Sequence, residues 1–124
     1  MSAAAQALPV ELDRTLAALA DPHRRRVVDL LSRGPRAAGD LARELELSPP
    51  AMSRHLRTLR QSGLVEESHP TFDARVRIYA LRPEPMVHLI RWLEETERMW
   101  GDQLAAFKVH VEGGAAAGRE PEAP

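Results

Sequence analysis

Residues 41–65, LARELELSPPAMSRHLRTLRQSGLV, decide the fold, because two short amphipathic segments meet there at a built-in turn and the second ends on glycine. Leu41 and Leu45 lie one helical turn apart, and Met52, Leu56 and Leu59 follow at the four-then-three spacing that sets them on one face of a second helix. Ser48 stands where an N-cap belongs, with a hydroxyl able to accept from an orphan amide, and Pro49 follows at the first helical position, where no donor is needed. Gly63 supplies the left-handed residue that closes the helix. This is how a helix-turn-helix reads. Opposite the buried leucines, the second helix carries Pro50, Ser53, Arg54 and Arg57, a polar and cationic set suited to a DNA groove.

The chain has 124 residues, enough for one domain with a modest core and too few for two of ordinary size. Its formal net charge is only -1, but the charge is unevenly spread. Residues 23–82 hold 12 arginines against 7 acidic groups, while the segments on either side are net acidic. A cationic centre between acidic ends points to a polyanion bound by the middle of the chain. Lys108 is the single lysine beside 16 arginines; a GC-rich coding bias accounts for this better than recognition does, because the excess runs through the acidic end as well. With no cysteine, neither a disulfide framework nor a thiolate metal site is possible. No apolar run is long enough to span a bilayer, and MSAAAQALPVELD lacks the basic region and apolar stretch of a secretion signal, so a cytoplasmic protein without membrane attachment is expected.

Outward from the central motif, residues 1–8 are small and expected to be flexible, and the domain is expected over 9–112. Leu12, Leu16 and Leu19 share a face of a first helix; Asp21 caps the second and Pro22 opens it, with Val27, Val28, Leu30 and Leu31 as its apolar face before Gly34-Pro35. The third helix is expected over about 37–45 and the fourth over 48–62. After Gly63 the period changes. LVEESH and RVRIYAL read as the two strands of a hairpin around the turn-rich PTFDA, with Arg75 and Arg77 on the return strand. Pro83 and Pro85 open a long last helix, 83–112, and residues 113–124 are expected to form a disordered tail. Along that helix Met86, Ile90, Leu93, Glu97, Trp100, Leu104, Phe107 and Val111 recur at alternating intervals of four and three, a heptad seam interrupted only by Glu97. The seam spans about seven turns, more than a small domain needs to cover its own core, so it reads as a dimer interface.

Mainly α with one small hairpin, this order of elements is a winged helix-turn-helix. The residues resemble the ArsR family of bacterial transcriptional repressors over 16 to about 108: LAALADPHRRRVVDLLSRGP is similar to that family's opening signature, GDLARELELSPPAMSRHLRTLRQSGLV to its helix-turn-helix and RVRIYAL to its second wing strand. The resemblance implies a dimer pairing its first and last helices, so Leu12 and Leu16 join the seam. It also implies a fourth helix in each major groove and a wing reaching the adjacent backbone or minor groove. The implied partner is double-stranded DNA, an imperfect inverted repeat in a promoter. Departures matter too. Ala37 and Gly39 occupy the cysteine positions of the family's C-V-C-D-L metal motif. Met86 precedes His88 by two and Gly113 follows His110 by three, so neither half of the family's last-helix metal site is present. Pro49 replaces a common glutamine, and the wing runs longer through HPTFDA. No metal and no cofactor are therefore expected, and an effector, if used, is an organic small molecule.

Each candidate has a plainer alternative. Ser48, Pro49, Pro50, Ser53, Arg54 and Arg57 are placed at DNA, against a merely solvated helix face. His55 lies either near the DNA backbone or packed and hydrogen-bonded. Arg75 and Arg77 contact phosphate or minor groove, or else only block edge pairing. Arg24, Arg25 and Arg26 cannot all face one way, and one is expected to pair with a carboxylate such as Asp29. His88, Glu94, Glu95 and Glu97 lack the spacing of a tetrahedral metal site. Trp92, Met99 and Trp100 read as packing residues before they read as a ligand pocket. An enzyme is not expected, since there is no phosphate-binding glycine loop, no cysteine nucleophile and no recognisable serine, histidine and acid set. The remaining alternative to a DNA-binding repressor is a dimeric protein-interaction module that keeps the fold without specific DNA binding.

Overall fold

The computed structural model describes residues 10–119, with side chains to residue 114. Two units divide at Leu89 and Ile90. In the first, α1 (Val10–Leu19), α2 (Pro22–Leu31), α3 (Ala38–Leu45) and α4 (Pro49–Gln61) are joined by β1 (Arg36–Ala37), β2 (Val65–Ser68) and β3 (Ile78–Leu81). The strands form one antiparallel sheet in the order β1-β3-β2. Tyr79 pairs with Arg36 on one side and with Glu67 on the other. Helix α5 (Pro83–Met99) leads across the division and α6 (Gly101–Arg119) follows it. This is a winged helix-turn-helix, mainly α with a small sheet.

The caps explain where the helices start and stop. Asp21 accepts from the His23 and Arg24 amides at 2.8 and 3.2 Å, and Pro22 takes the first helical position. Ser48 accepts from the Ala51 amide at 3.3 Å, with Pro49 next. Helix α4 ends in a Schellman motif: the Leu64 amide donates to Leu59 O and the Gly63 amide to Arg60 O, both at 3.0 Å, around Gly63 at φ +81°. Helix α3 ends the same way, with Leu47 N to Ala42 O at 2.9 Å and Glu46 N to Arg43 O at 3.2 Å. Here Glu46, at φ 55°, takes the left-handed position usually held by glycine. The turn between the two helices of the motif is therefore set by backbone bonding that no turn residue announces. Beneath it, Leu41, Leu45, Met52, Leu56 and Leu59 pack with Val27, Leu30, Leu31, Leu64, Val65 and Tyr79 in one core.

Several sequence expectations need correction. The buried residues of α1 are Leu12, Thr15 and Ala18, with Leu19 packed partly buried against the core, so of the expected face Leu12, Leu16 and Leu19 only Leu16 departs. Thr15 can lie inside because its hydroxyl donates to Glu11 O at 2.9 Å, and Leu16 faces outward. Leu12, placed at the dimer seam, is only 2% exposed in the single chain. The hairpin is a three-stranded sheet, since the two-residue β1, too short to show a pattern, pairs with β3. Strand β3 begins at Ile78, so Arg75 and Arg77 precede it: the Asp73 carboxylate accepts from the Arg75 amide at 3.0 Å and holds a turn there. The alternation is also inverted at its end, with Tyr79 buried on the face that carries Arg77. The single helix expected over 83–112 is two, interrupted at Trp100 before Gly101. Bonding nonetheless continues across the interruption, with Trp100 N to Thr96 O at 2.9 Å and Leu104 N to Trp100 O at 2.8 Å. Helix α6 runs past Glu112 to Arg119 because the alanines after Gly113-Gly114 are strong helix formers, so the tail expected from 113 is helical that far. The flexible segment expected over 1–8, and the end of the tail, 120–124, lie outside the described residues.

Candidate nucleic-acid interface

Helix α4 buries Met52, Leu56 and Leu59 and turns Pro50, Arg54 and Arg57 outward. Ser48 and Pro49 are exposed at its start. Among the described residues, no carboxylate pairs with Arg54 or Arg57, so both cations are available to an outside anion. Arg60, one turn further, is taken: it pairs with Glu67 on β2 at 3.0 Å.

Two expected contact residues are already engaged with each other. The Arg77 guanidinium donates to Ser53 Oγ at 3.1 Å and to the Tyr79 hydroxyl at 3.4 Å. The Tyr79 hydroxyl donates in turn to Glu67 Oε2 at 2.5 Å. Arg77 is half-buried and acts as a brace between the wing and α4, unlike the exposed cation expected from the sequence. Burial, reinforced by the bond to Glu67, pushes the Tyr79 hydroxyl up to about 12. The Tyr79 hydrogen bond, against desolvation and helped by Arg60, His69 and Arg77, holds the Glu67 carboxyl below its ordinary value. The network was invisible in sequence because its members lie 12 and 24 residues apart. Arg75 remains outside it, its side chain 93% exposed and paired only with neighbouring Asp73. Phe72, 89% exposed, stands near it in the turn between β2 and β3.

A further cationic surface was missed. No side chain caps the start of α3 after Ala37, and the first turn there shares a cleft with Arg43, Arg75 and Arg77. The Ala38 amide donates to Arg77 O at 3.0 Å and Arg43 pairs with Asp40 in the same cleft, so it is the next amides of the first turn, beside the Arg75 guanidinium, that suit a phosphate oxygen. Ala37 and Gly39, the positions of the absent thiolates, form part of the same cleft.

His55 is half-buried and lies beside His23, with ring centroids 5.5 Å apart. Burial lowers its pKa, against the attraction of Asp21. Asp21 sits below the usual carboxylate value because the Arg24 and His23 amides outweigh its desolvation. The carboxylate met by the arginine run is Asp21 rather than Asp29: Arg24 lies 4.0 Å from Asp21 and donates to the Ala18 and Ala17 carbonyls, and Arg25 donates to the Leu19 and Ala20 carbonyls. Asp21, His23 and His55 bring three ligand atoms within 4.8 Å of one another, the one such grouping among the described residues, and it does not include His88, Glu94, Glu95 or Glu97.

The seam residues are largely uncovered. Ile90, Leu93, Trp100, Leu104, Phe107 and Val111 are all exposed, Trp100 at 55% and Phe107 at 66%, as is Glu97. Met86 is the exception and packs against the core of the first unit. Among the described residues no helix is long and apolar enough to cross a membrane.

Comparison with known proteins agrees with this architecture. Residues 21–67, from the Asp21 cap to Glu67 on β2, match the family model described as "Bacterial regulatory protein, arsR family". The chain is 39% identical over 95 residues to the HTH-type transcriptional regulator Rv2034 of Mycobacterium tuberculosis, covering 77% of this chain and 83% of that one. It is 29% identical over 82 residues to the transcriptional repressor SdpR of Bacillus subtilis, covering 66% and 88%. Among solved structures it resembles an ArsR-like transcriptional regulator from Rhodococcus sp. RHA1 at a TM-score of 0.64 and 33% identity, over 79% of this chain and 90% of that one.

Proposed function

The chain belongs to the ArsR family of bacterial regulatory proteins, and from that premise we propose that this transcriptional regulator is a repressor that occludes a promoter as a homodimer. The relatives are transcriptional regulators rather than enzymes, and one of them is a repressor by name. The observation that carries the reading is the outward face of α4: Arg54 and Arg57, unpaired, stand opposite three fully buried apolar side chains. In the docked complex Arg54 bridges a base edge in the major groove, Arg57 reaches a base or phosphate, and Ser48 to Pro50 abut the backbone at the start of the helix. Arg75 and the open first turn of α3 take phosphates on either side of the cleft they share. Two such helices one DNA turn apart would read an imperfect inverted repeat. The exposed stripe from Ile90 to Val111 supports the dimer that supplies the second helix.

Titration of the full chain against the promoter of its own gene, and against a scrambled duplex of equal length, tests the proposal. Preferential retention of the promoter is expected. Failure to hold any duplex at low salt would overturn DNA binding and favour a protein-binding role.

A further inference from the structure

The start of α2 and the middle of α4 meet at three side chains that the DNA-facing surface does not use. Asp21 and His23 come from the capped first turn of α2, and His55 comes from α4, thirty-two residues further on. One ligand atom from each lies within 4.8 Å of the other two, and all three residues are half-buried. No hydrogen bond or ion pair joins the three side chains to one another, although each can make one. Donors that converge without bonding leave room between them. We infer that Asp21, His23 and His55 form a binding site for a divalent cation of the zinc class, which ties the N-terminus of α2 to the recognition helix.

The donor chemistry selects that class. Two imidazoles and one carboxylate form a borderline nitrogen and oxygen set, which suits zinc and cobalt better than calcium or magnesium, whose ligands are oxygens. Three protein ligands leave a fourth tetrahedral position for water, and the half-exposure of the cluster gives that water access. Asp21 can cap and coordinate at once: Oδ1 holds both backbone amides, while Oδ2 lies 4.0 Å from the Arg24 guanidinium, beyond hydrogen-bonding distance. Arg24 is drawn elsewhere, donating to Ala18 O at 2.7 Å and to Ala17 O at 3.2 Å. Metal–ligand distances of about 2.0–2.2 Å put tetrahedral donors roughly 3.4 Å apart, a spacing compatible with three ligand atoms that all lie within 4.8 Å of one another, and half-burial leaves the side chains room to adjust. The positions are unrelated to Ala37, Gly39 or the last helix.

Titration of the metal-free full chain with cobalt, followed by visible absorption and by calorimetry, tests the site without DNA. One cobalt per chain is expected, with the intense bands of tetrahedral coordination and no sulfur charge-transfer band, and zinc should displace it and raise the Tm. His23→Gln should weaken cobalt at least about tenfold, since losing a ligand costs no less than losing an outer-shell partner. Asp21→Asn keeps the cap while removing the anionic ligand and should weaken it likewise. His88→Gln should change nothing. Should His55→Gln fail to fold, His23→Gln and Asp21→Asn still decide the matter. Absence of tetrahedral cobalt in the parent chain, or undiminished binding in both of those variants, overturns the site. Duplex binding by the metal-free chain is read separately, so failure of the repressor proposal would leave this result standing.

Discussion

The arginines around α4 stand in three different settings, and the roles proposed for them follow from what each guanidinium already touches. Arg54 is exposed and unpaired, and its fork can meet a guanine edge in two parallel bonds. Arg54→Ala should lose roughly 1–3 kcal/mol per half-site on the operator and relax discrimination at one base pair. Equal losses on operator and scrambled duplex would remove it from base reading. Arg75 has a surface pair with Asp73, a kind worth about 0–1 kcal/mol, so exchanging it for a phosphate would cost little. Arg75→Ala should therefore weaken both duplexes alike and flatten the salt dependence by about one unit of slope per phosphate lost. Arg77 holds Ser53 and Tyr79 together, which needs the planar fork rather than the charge. Arg77→Lys, which keeps the charge, should lose operator preference while binding scrambled DNA as before. If lysine restores full operator affinity, Arg77 is a phosphate contact and not a brace.

The elements were legible in sequence wherever one local rule set the boundary, and illegible where bonding over distance set it. Asp21-Pro22, Ser48-Pro49 and Gly63 fixed three helix ends because each residue type supplies a missing acceptor or a left-handed backbone. Glu46 broke the pattern, holding the left-handed position of the other Schellman turn without glycine. Relief of that conformation should outweigh glycine's extra entropy in the unfolded chain, so Glu46→Gly should raise the unfolding free energy by up to about 1 kcal/mol, read as a higher denaturation midpoint. The wing was misread at Tyr79, whose burial depends on Glu67 and Arg77 rather than on alternation. Because Glu67 titrates below its ordinary 4.5, its contribution to stability is present above that pH and is lost as pH falls through the folded value. Because Tyr79 rises from 10.0 to about 12, its contribution is complete below pH 10 and is lost as pH climbs through that interval. Tyr79 is the only tyrosine, so phenolate absorbance reads it alone, and a midpoint near pH 10 in the folded chain would contradict the network. Tyr79→Phe should abolish the alkaline loss and weaken the acid one.

At the scale of the molecule, one chain supplies one recognition helix, and the stripe on α5 and α6 shows an apolar surface without a cover. Ile90, Leu93, Trp100, Leu104, Phe107 and Val111 are the large residues of a heptad pattern, each exposed. An uncovered run of this length is unusual for a monomer, and the second copy proposed above would cover it with residues of the same kind, as a two-fold interface requires. The break at Trp100 does not end the seam, because hydrogen bonds from Thr96 to Leu104 carry the helical phase across it. Leu12, buried in the single chain, is not available to a partner, while exposed Leu16 remains so. Met86 is committed to the core of the first unit, so the proposed interface would begin at Ile90. Trp100→Asp places a charge at the centre of that surface, where pairing with a second copy would bury it unpaired. Sedimentation should then give monomers, and DNA affinity should fall steeply because the two half-sites are no longer bound together. Trp100 lies at the helix break, so Leu104→Glu, one turn into α6, provides the control: it should give monomers with the helix content of the parent. If both variants sediment as folded dimers, the partner covers some other surface and the seam has been misassigned.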